Sequence, residues 1–402
     1  MSIKKLGIIA AVVLCMGALA CFAVATEPKA SDTEAEAEAV VQLADPAMDE
    51  FAELYPNQYQ SWTASYIMTF GSTAFGADFS HAALMSKIPA FCAGTGKSFT
   101  SSCLSCKSTT FNTVYADKGI KAYNQPIEDI EAEYTIEYFT CEACHADNDF
   151  ETLAPNMVTF TTLAGDAVAD IDVNTLICAQ CHNSVGKYVY GLNENLTLEN
   201  ANPYRYGISY DGVYKAYLED GQIPIDAATG AAVLTVAYTD FDTYYGSNHY
   251  NLGLTCVDCH MPQATAEDGT VYTNHNASSS PLENEDALAR CLTCHKAQGV
   301  ESAEAMVEFD NKAEAEVAAI MADETAAIAI LKAALVEATE KGATGEGIDL
   351  ARDCYSKAFF YNIYCTSYNH GSDLRIAHDP TGLPKLAQEI IDLCEQGLNA
   401  LK

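Results

Sequence analysis

The sequence predicts a mainly α-helical fold, and three observations carry that expectation. No stretch sustains the apolar–polar alternation of a strand, and the run from Ser302 to Lys341 is rich in Ala, Glu, Ile and Leu with apolar residues three and four apart. Five Cys-x-x-Cys pairs are each followed at once by a basic residue. The first is Cys103-Leu104-Ser105-Cys106-Lys107; the others are Cys141-Glu142-Ala143-Cys144-His145, Cys178-Ala179-Gln180-Cys181-His182, Cys256-Val257-Asp258-Cys259-His260 and Cys291-Leu292-Thr293-Cys294-His295. Two cysteines so spaced sit on adjacent edges of one helical turn, so both can form thioethers to one haem with the next residue beneath the iron. Zinc ribbons and thioredoxin-like sites also use paired cysteines, but neither explains a histidine directly behind four of the five. The expectation is a multihaem cytochrome c with a haem-packed core, five covalently bound haem c groups and a long-helix C-terminal tail.

Residues 1–25 read as an export signal: Lys4 and Lys5, an apolar run from Leu6 to Phe22, then Ala23-Val24-Ala25 as a small-residue cleavage site. Retention as an N-terminal membrane anchor, or a lipoprotein built on Cys21, is the alternative. Either route gives an exported protein, periplasmic or at the cell surface. Residues 26–48 form an acidic spacer around Glu34-Ala35-Glu36-Ala37-Glu38. A pentahaem domain is expected over 49–300, joined by loops rich in Gly, Asn, Asp and Tyr, with many of the 23 tyrosines against haem edges. A helical C-terminal region follows over 301–402. Its first helix runs from Ser302 to Lys341 and stops at Gly342, Gly345 and Gly347; a second spans about Ile348 to Tyr368 and a third Leu383 to Leu401. Such a tail buries its stripe within the chain or forms a homodimer seam.

The net charge of −34 becomes −36 once Lys4 and Lys5 are removed, which argues against nucleic-acid binding and leaves an acidic face for a basic redox partner. Outside the haem pairs, Cys92, Cys354, Cys365 and Cys394 permit two disulfides in an exported protein, and Cys354 with Cys394 would staple two tail helices. The nine histidines are His81, His145, His182, His249, His260, His275, His295, His370 and His378. Four follow cysteine pairs; if those four haems are bis-histidine, four more are consumed and one is spare. Lys107 then holds an iron with no protein ligand assigned opposite it. An amine binds iron only when deprotonated, so its site must be desolvated or metal-loaded.

These residues resemble the pentahaem, ammonia-forming cytochrome c nitrite reductases, in which one CxxCK haem precedes four CxxCH haems. The resemblance runs from about residue 50 to the C-terminus and includes Tyr55-Pro56-Asn57-Gln58-Tyr59-Gln60-Ser61-Trp62, Cys259-His260-Met261-Pro262 and Val271-Tyr272-Thr273-Asn274-His275. It implies His81 as distal ligand of the third haem, His275 of the second, His249 of the fifth and His378 of the fourth, with His370 left over. The family's pocket is altered here. The resemblance implies a catalytic tyrosine and a calcium-binding glutamate closely after the third-haem histidine, yet Ser184 and Val185 occupy those places, with Tyr188 the nearest tyrosine. Tyr238 stands at the catalytic histidine, and Thr235 and Ala237 at the remaining calcium positions, which puts calcium in doubt. All four arginines, Arg205, Arg290, Arg352 and Arg375, follow the first haem site, whereas the family's arginine precedes it. The matching segment offers Lys97 and Cys92, for which a solvated loop lysine and an inert thiol are the plainer readings.

Reduction of nitrite to ammonium consumes six electrons and eight protons, so a pocket with donors but little positive charge implies a weaker or different activity. The leading expectation is a reductase of nitrite, or of a related small oxidised nitrogen or sulfur species, at the lysine-ligated haem. Its candidate site residues are Lys107, Tyr238, Lys97 and Cys92. A non-catalytic electron-transfer relay is the alternative, and a haem-based sensor a third. In each, electrons arrive from a membrane quinol oxidase or another donor.

Overall fold

The computed structural model describes residues 49–64, 81, 100–137, 139–146, 149–192, 195–220, 224–277, 279–366 and 376–402. The export segment and spacer expected over 1–48 lie outside these residues, as do Cys92, Lys97, His370 and Arg375. The described part is mainly α, as the sequence predicts, with two short hairpins. No helix among the described residues is long and apolar enough to cross a membrane.

The C-terminal region is the most regular part. Its long helix spans Ala303–Glu340, opened by Ser302, whose hydroxyl accepts from Ala305 N. Met306, Asp310, Val317, Met321, Glu324, Leu331 and Leu335 form its buried stripe, spaced by threes, fours and sevens. Gly342 ends the run at φ 71°, a conformation that favours glycine. Helices Glu346–Thr366 and Gly382–Ala400 pack against it. The three meet at Gly397: a Cβ there would stand 3.0 Å from both Leu331 methyls and 3.2 Å from Cys354 Cβ. A side chain there would crowd these neighbours, which must give by a few tenths of an ångström. Cys354, Cys365 and Cys394 are buried free thiols, so the staple between Cys354 and Cys394 is not formed. Burial pushes Cys394 up to about 12, which keeps it an inert neutral thiol.

The remaining helices are short, and the cysteine motifs lie on or beside some of them. Strands β1 (His145–Ala146) and β2 (Asp149–Leu153) pair antiparallel just behind the second motif. Strands β3 (Gln263–Thr265) and β4 (Val271–Thr273) pair in the register Gln263↔Thr273, Ala264↔Tyr272 and Thr265↔Val271. This hairpin returns the chain to its start, so that Asn274 N donates to Pro262 O and His275 emerges beside the fourth motif's exit.

Many tyrosines pack on one another rather than singly. Tyr188 and Tyr217 meet edge to face at 4.8 Å, as do Tyr210 and Tyr361 at 4.7 Å, and Tyr214 and Phe360 lie 5.2 Å apart. Such pairs add roughly 0.5–1.5 kcal/mol each beyond area burial. Tyr123, Tyr188, Tyr355, Tyr361 and Tyr364 are fully buried, and this aromatic mass joins the tail helices to the cysteine-bearing part.

Candidate haem centres and the Lys107 site

Each cysteine pair is carried on or beside a turn of helix or 3-10 helix, several of them opened by a side-chain cap. The third motif ends helix Val173–Ala179, whose N-cap Asp172 accepts from Asn174 N at 2.8 Å. The fourth forms helix Cys256–His260, opened by a capping box in which Thr255 and Asp258 exchange bonds. Asp258 also pairs with Arg290 at 3.0 Å, which ties the fourth motif to helix Glu285–His295 carrying the fifth. Inside the third motif, Gln180 donates to Ala143 O at 2.7 Å and accepts from Met157 N at 2.8 Å, so it braces the second. The sulfurs of Cys106 and Cys181 lie beside each other, as do those of Cys178 and Cys256. The third motif therefore touches the first, second and fourth.

Four pairs of imidazoles face each other. Ring centroids lie 6.2 Å apart for His81 and His182, 6.3 Å for His145 and His275, 6.3 Å for His249 and His295, and 6.2 Å for His260 and His378. Two imidazoles bound to one metal at about 2.0 Å each, with a ring radius of about 1.1 Å, hold their centroids about 6 Å apart. The spacing fits a metal ion between each pair.

Several Nδ1 atoms are already engaged: His249 with Ala377 O at 2.8 Å, His275 with Thr273 O at 2.8 Å, and His182 with Asp240 Oδ2 at 3.2 Å. Such bonds fix the ring and leave Nε2 for the metal. Burial and the neighbouring His182 push His81 down to about 4; burial also lowers His260, His275 and His295. All four are therefore held neutral, the form that ligates.

Lys107 differs. Its turn is fixed by Lys107 N donating to Leu104 O at 2.9 Å, and its ammonium donates to Cys103 O at 3.2 Å. Burial pulls the amine down, while Tyr238, then Cys106, Cys103 and Cys181, push it up, and the net direction is upward. Thioether formation removes the ionisable thiols from that balance, and burial opposed by Tyr238 then remains.

Tyr238 has φ 60°, the one positive φ at a non-glycine residue among those described. A bulky residue in that region costs about 1–3 kcal/mol and persists only where its surroundings hold it.

The residues sequence reasoning missed lie just after it, in helix Asp240–Tyr244. Asp240 supports His182. Asp242, 6% exposed, accepts from Ser184 N at 3.1 Å, Ser184 Oγ at 2.6 Å, Tyr204 OH at 3.0 Å and Tyr364 OH at 3.2 Å. Burial pushes its carboxyl up to about 6 against the pull of those donors. Their only sequence signal is an acidic pair within a mostly apolar run.

Tyr188 is engaged elsewhere: its hydroxyl accepts from Arg205 Nη1 at 2.9 Å and donates to Ala216 O at 3.5 Å. The described arginines are likewise committed: Arg205 to Asp220, Arg290 to Asp258 and Arg352 to Thr229 O.

Paired cysteines backed by facing imidazoles define the class, a c-type cytochrome that binds haem covalently. Within that class the chain belongs to the cytochrome c552 family, whose model matches residues 89–401. It is 26% identical over 205 residues to cytochrome c-552 of Haemophilus ducreyi, covering 48% of this chain and 39% of that one. Against cytochrome c-552 of Haemophilus influenzae it is 25% identical over 304 residues, covering 61% and 55%. The chain thus spans about two fifths to just over half the length of these curated relatives. Its fold is similar to the catalytic subunit of cytochrome c nitrite reductase from Desulfovibrio desulfuricans, with a TM-score of 0.67, 16% identity, and coverage of 88% of this chain and 85% of that one.

Proposed function

We infer that this chain is an exported pentahaem cytochrome c that reduces nitrite to ammonia, or a related small oxidised nitrogen or sulfur species, at a haem ligated by Lys107. One observation carries the reading: the four facing imidazole pairs use eight of the nine histidines, and none of the eight is left for the iron above Lys107. A haem with a vacant axial position supplies electrons to a small molecule bound there.

The chain's own contribution is positioning. Lys107 fills one axial side from a buried turn, and the Tyr238 hydroxyl supplies a hydrogen-bond donor beside it. With Arg205, Arg290 and Arg352 committed elsewhere, little positive charge among the described residues attracts an anion. The neutral hydroxylamine is therefore turned over better than nitrite. The contacts of the third motif with the first, second and fourth support a closely spaced electron path, fed by a membrane quinol oxidase or another donor. Ile330, 55% exposed on the long helix, supports a homodimer through the tail.

The Desulfovibrio structure is described for the relevance of its two calcium sites. No calcium is proposed at Ser184 in this chain. The oxygens of Asp242 there face the N–H and O–H donors of Ser184, Tyr204 and Tyr364, an acceptor's surroundings rather than a cation's cage.

Mass spectrometry of the purified protein, low-temperature ferric spectroscopy and turnover of nitrite, hydroxylamine and sulfite with a viologen donor test the reading. Five attached haems, one high-spin signal and turnover support it. The proximity of Tyr238 to Lys107 also favours the relay, in which that side chain closes the sixth position. An all-low-spin spectrum without turnover would select the relay.

A further inference from the structure

The backbone of Tyr238 has no local reason to be left-handed. It is neither glycine nor asparagine, and its neighbours Ala237 and Thr239 are buried at 2% and 1% exposure. The residues immediately after it make a dense set of contacts to a different part of the chain. Residues 240–242 run beside residues 182–184 as they leave the third motif. Phe241 N donates to His182 O at 3.0 Å, Asp240 meets His182 Nδ1, and Asp242 receives both the N–H and the hydroxyl of Ser184. Tyr364, from tail helix Glu346–Thr366, closes the set from the other side: its hydroxyl donates to Asp242 and its carbonyl accepts from Thr239 Oγ1 at 3.4 Å. The segment after Tyr238 is thus fixed by the third haem motif and by the tail. Tyr238 cannot relax without breaking bonds to a buried carboxylate.

We propose that Asp242, assisted by Asp240, is a positioning residue that holds Tyr238 in its left-handed conformation and so keeps the phenol aimed at the haem ligated by Lys107. Asp242 touches no substrate and acts through Tyr238. The aim of the phenol rests on the function proposed above; the hold on the backbone does not. Asp242→Asn keeps one acceptor oxygen but turns an N–H₂ group toward Ser184 N, so it breaks the clamp with little change in volume.

The first test titrates cyanide, a probe of an open ferric haem, into the holoprotein and into Asp242→Asn, Tyr238→Phe and the double variant. Each single change is expected to weaken cyanide about tenfold, the size of one lost hydrogen bond. The double variant binds no more weakly than Tyr238→Phe alone. Losses that multiply in the double variant overturn the proposal.

The second test needs no ligand. Glycine adopts φ 60° freely, whereas losing the clamp in the native chain also releases the strain on Tyr238, so Asp242→Asn lowers the guanidinium unfolding midpoint more in a Tyr238→Gly background than in the native one. Equal shifts in the two backgrounds overturn the proposal. Tyr364→Phe removes one of the four donors and serves where Asp242→Asn does not fold, with the same pattern at smaller size. If cyanide leaves the native spectrum unchanged while the unfolding cycle shows coupling, the open-haem reading falls and the clamp stands.

Discussion

Glu324 sits on the buried stripe of the long helix at 0% exposure. Asn362 donates to its Oε1 at 2.6 Å, and Oε2 is buried with no hydrogen-bond partner among the described residues. Burial pushes the carboxyl up from 4.5 to about 7, the Asn362 bond pulling weakly the other way. The neutral form is thus the one the fold accommodates. Since the folded value lies above the unfolded one, the group's contribution is fully present below about pH 4.5 and is lost as pH rises through about 7. The full shift is worth about 3 kcal/mol at 1.36 kcal/mol per pH unit. Glu324→Gln keeps the acceptor for Asn362 and cannot ionise. The variant is therefore more stable than the native chain by about 3 kcal/mol at pH 8, and by under about 1 kcal/mol at pH 5. Guanidinium unfolding of both holoproteins, followed by far-ultraviolet circular dichroism at pH 5, 6.5 and 8, measures the difference. A gap that does not change with pH, or a variant less stable at pH 8, would refute the reasoning.

Three further outcomes are expected. Lys107→His gives the first haem an imidazole in place of the amine, so its spectrum moves toward that of the other four haems and turnover of hydroxylamine falls at least tenfold; unchanged spectra would remove Lys107 as the ligand. His81→Ala leaves the intact mass of the attached haems unchanged but adds a second high-spin ferric signal, because the His182 side keeps its ligand while the opposite face loses one; no new signal would unseat the pairing of His81 with His182. Thr255→Ala removes the side-chain half of the capping box around Asp258 and costs about 1 kcal/mol in unfolding, read from the guanidinium midpoint, and a loss within error would make the box incidental.

The cysteine motifs were legible because covalent attachment fixes residue type and spacing within a single helical turn, a requirement that tertiary structure cannot relax. The tail was legible for a similar reason. The long helix expected between Ser302 and Lys341 spans Ala303–Glu340, because threefold and fourfold apolar spacing and a run of glycines are local signals. The hold on Tyr238 was not legible. Asp240 and Asp242 reach residues 58 positions away, and Tyr364 reaches Asp242 across 122. No periodicity records contacts of that kind. Tyr188 misled in the opposite way: it lies close in sequence to the third motif, yet helix Val185–Leu192 carries its hydroxyl toward Arg205 instead.

The same long-range contacts fix the backbone around Tyr238. In the third motif, Gln180 braces the second motif, Cys181 and Cys178 meet the first and fourth, and Ser184, just past His182, is bonded to Asp242. The Gln180 and Ser184 bonds are buried, so breaking one leaves a polar group without compensating water and costs roughly 1–3 kcal/mol. A tyrosine strained by a comparable amount is then cheaper to hold than to release. Packing of neighbouring haem motifs and the tail helix therefore holds the backbone around Tyr238. With no calcium proposed at Ser184, chelators are expected to leave the folded protein intact, whereas loosening the tail at Tyr364 reaches the Lys107 site.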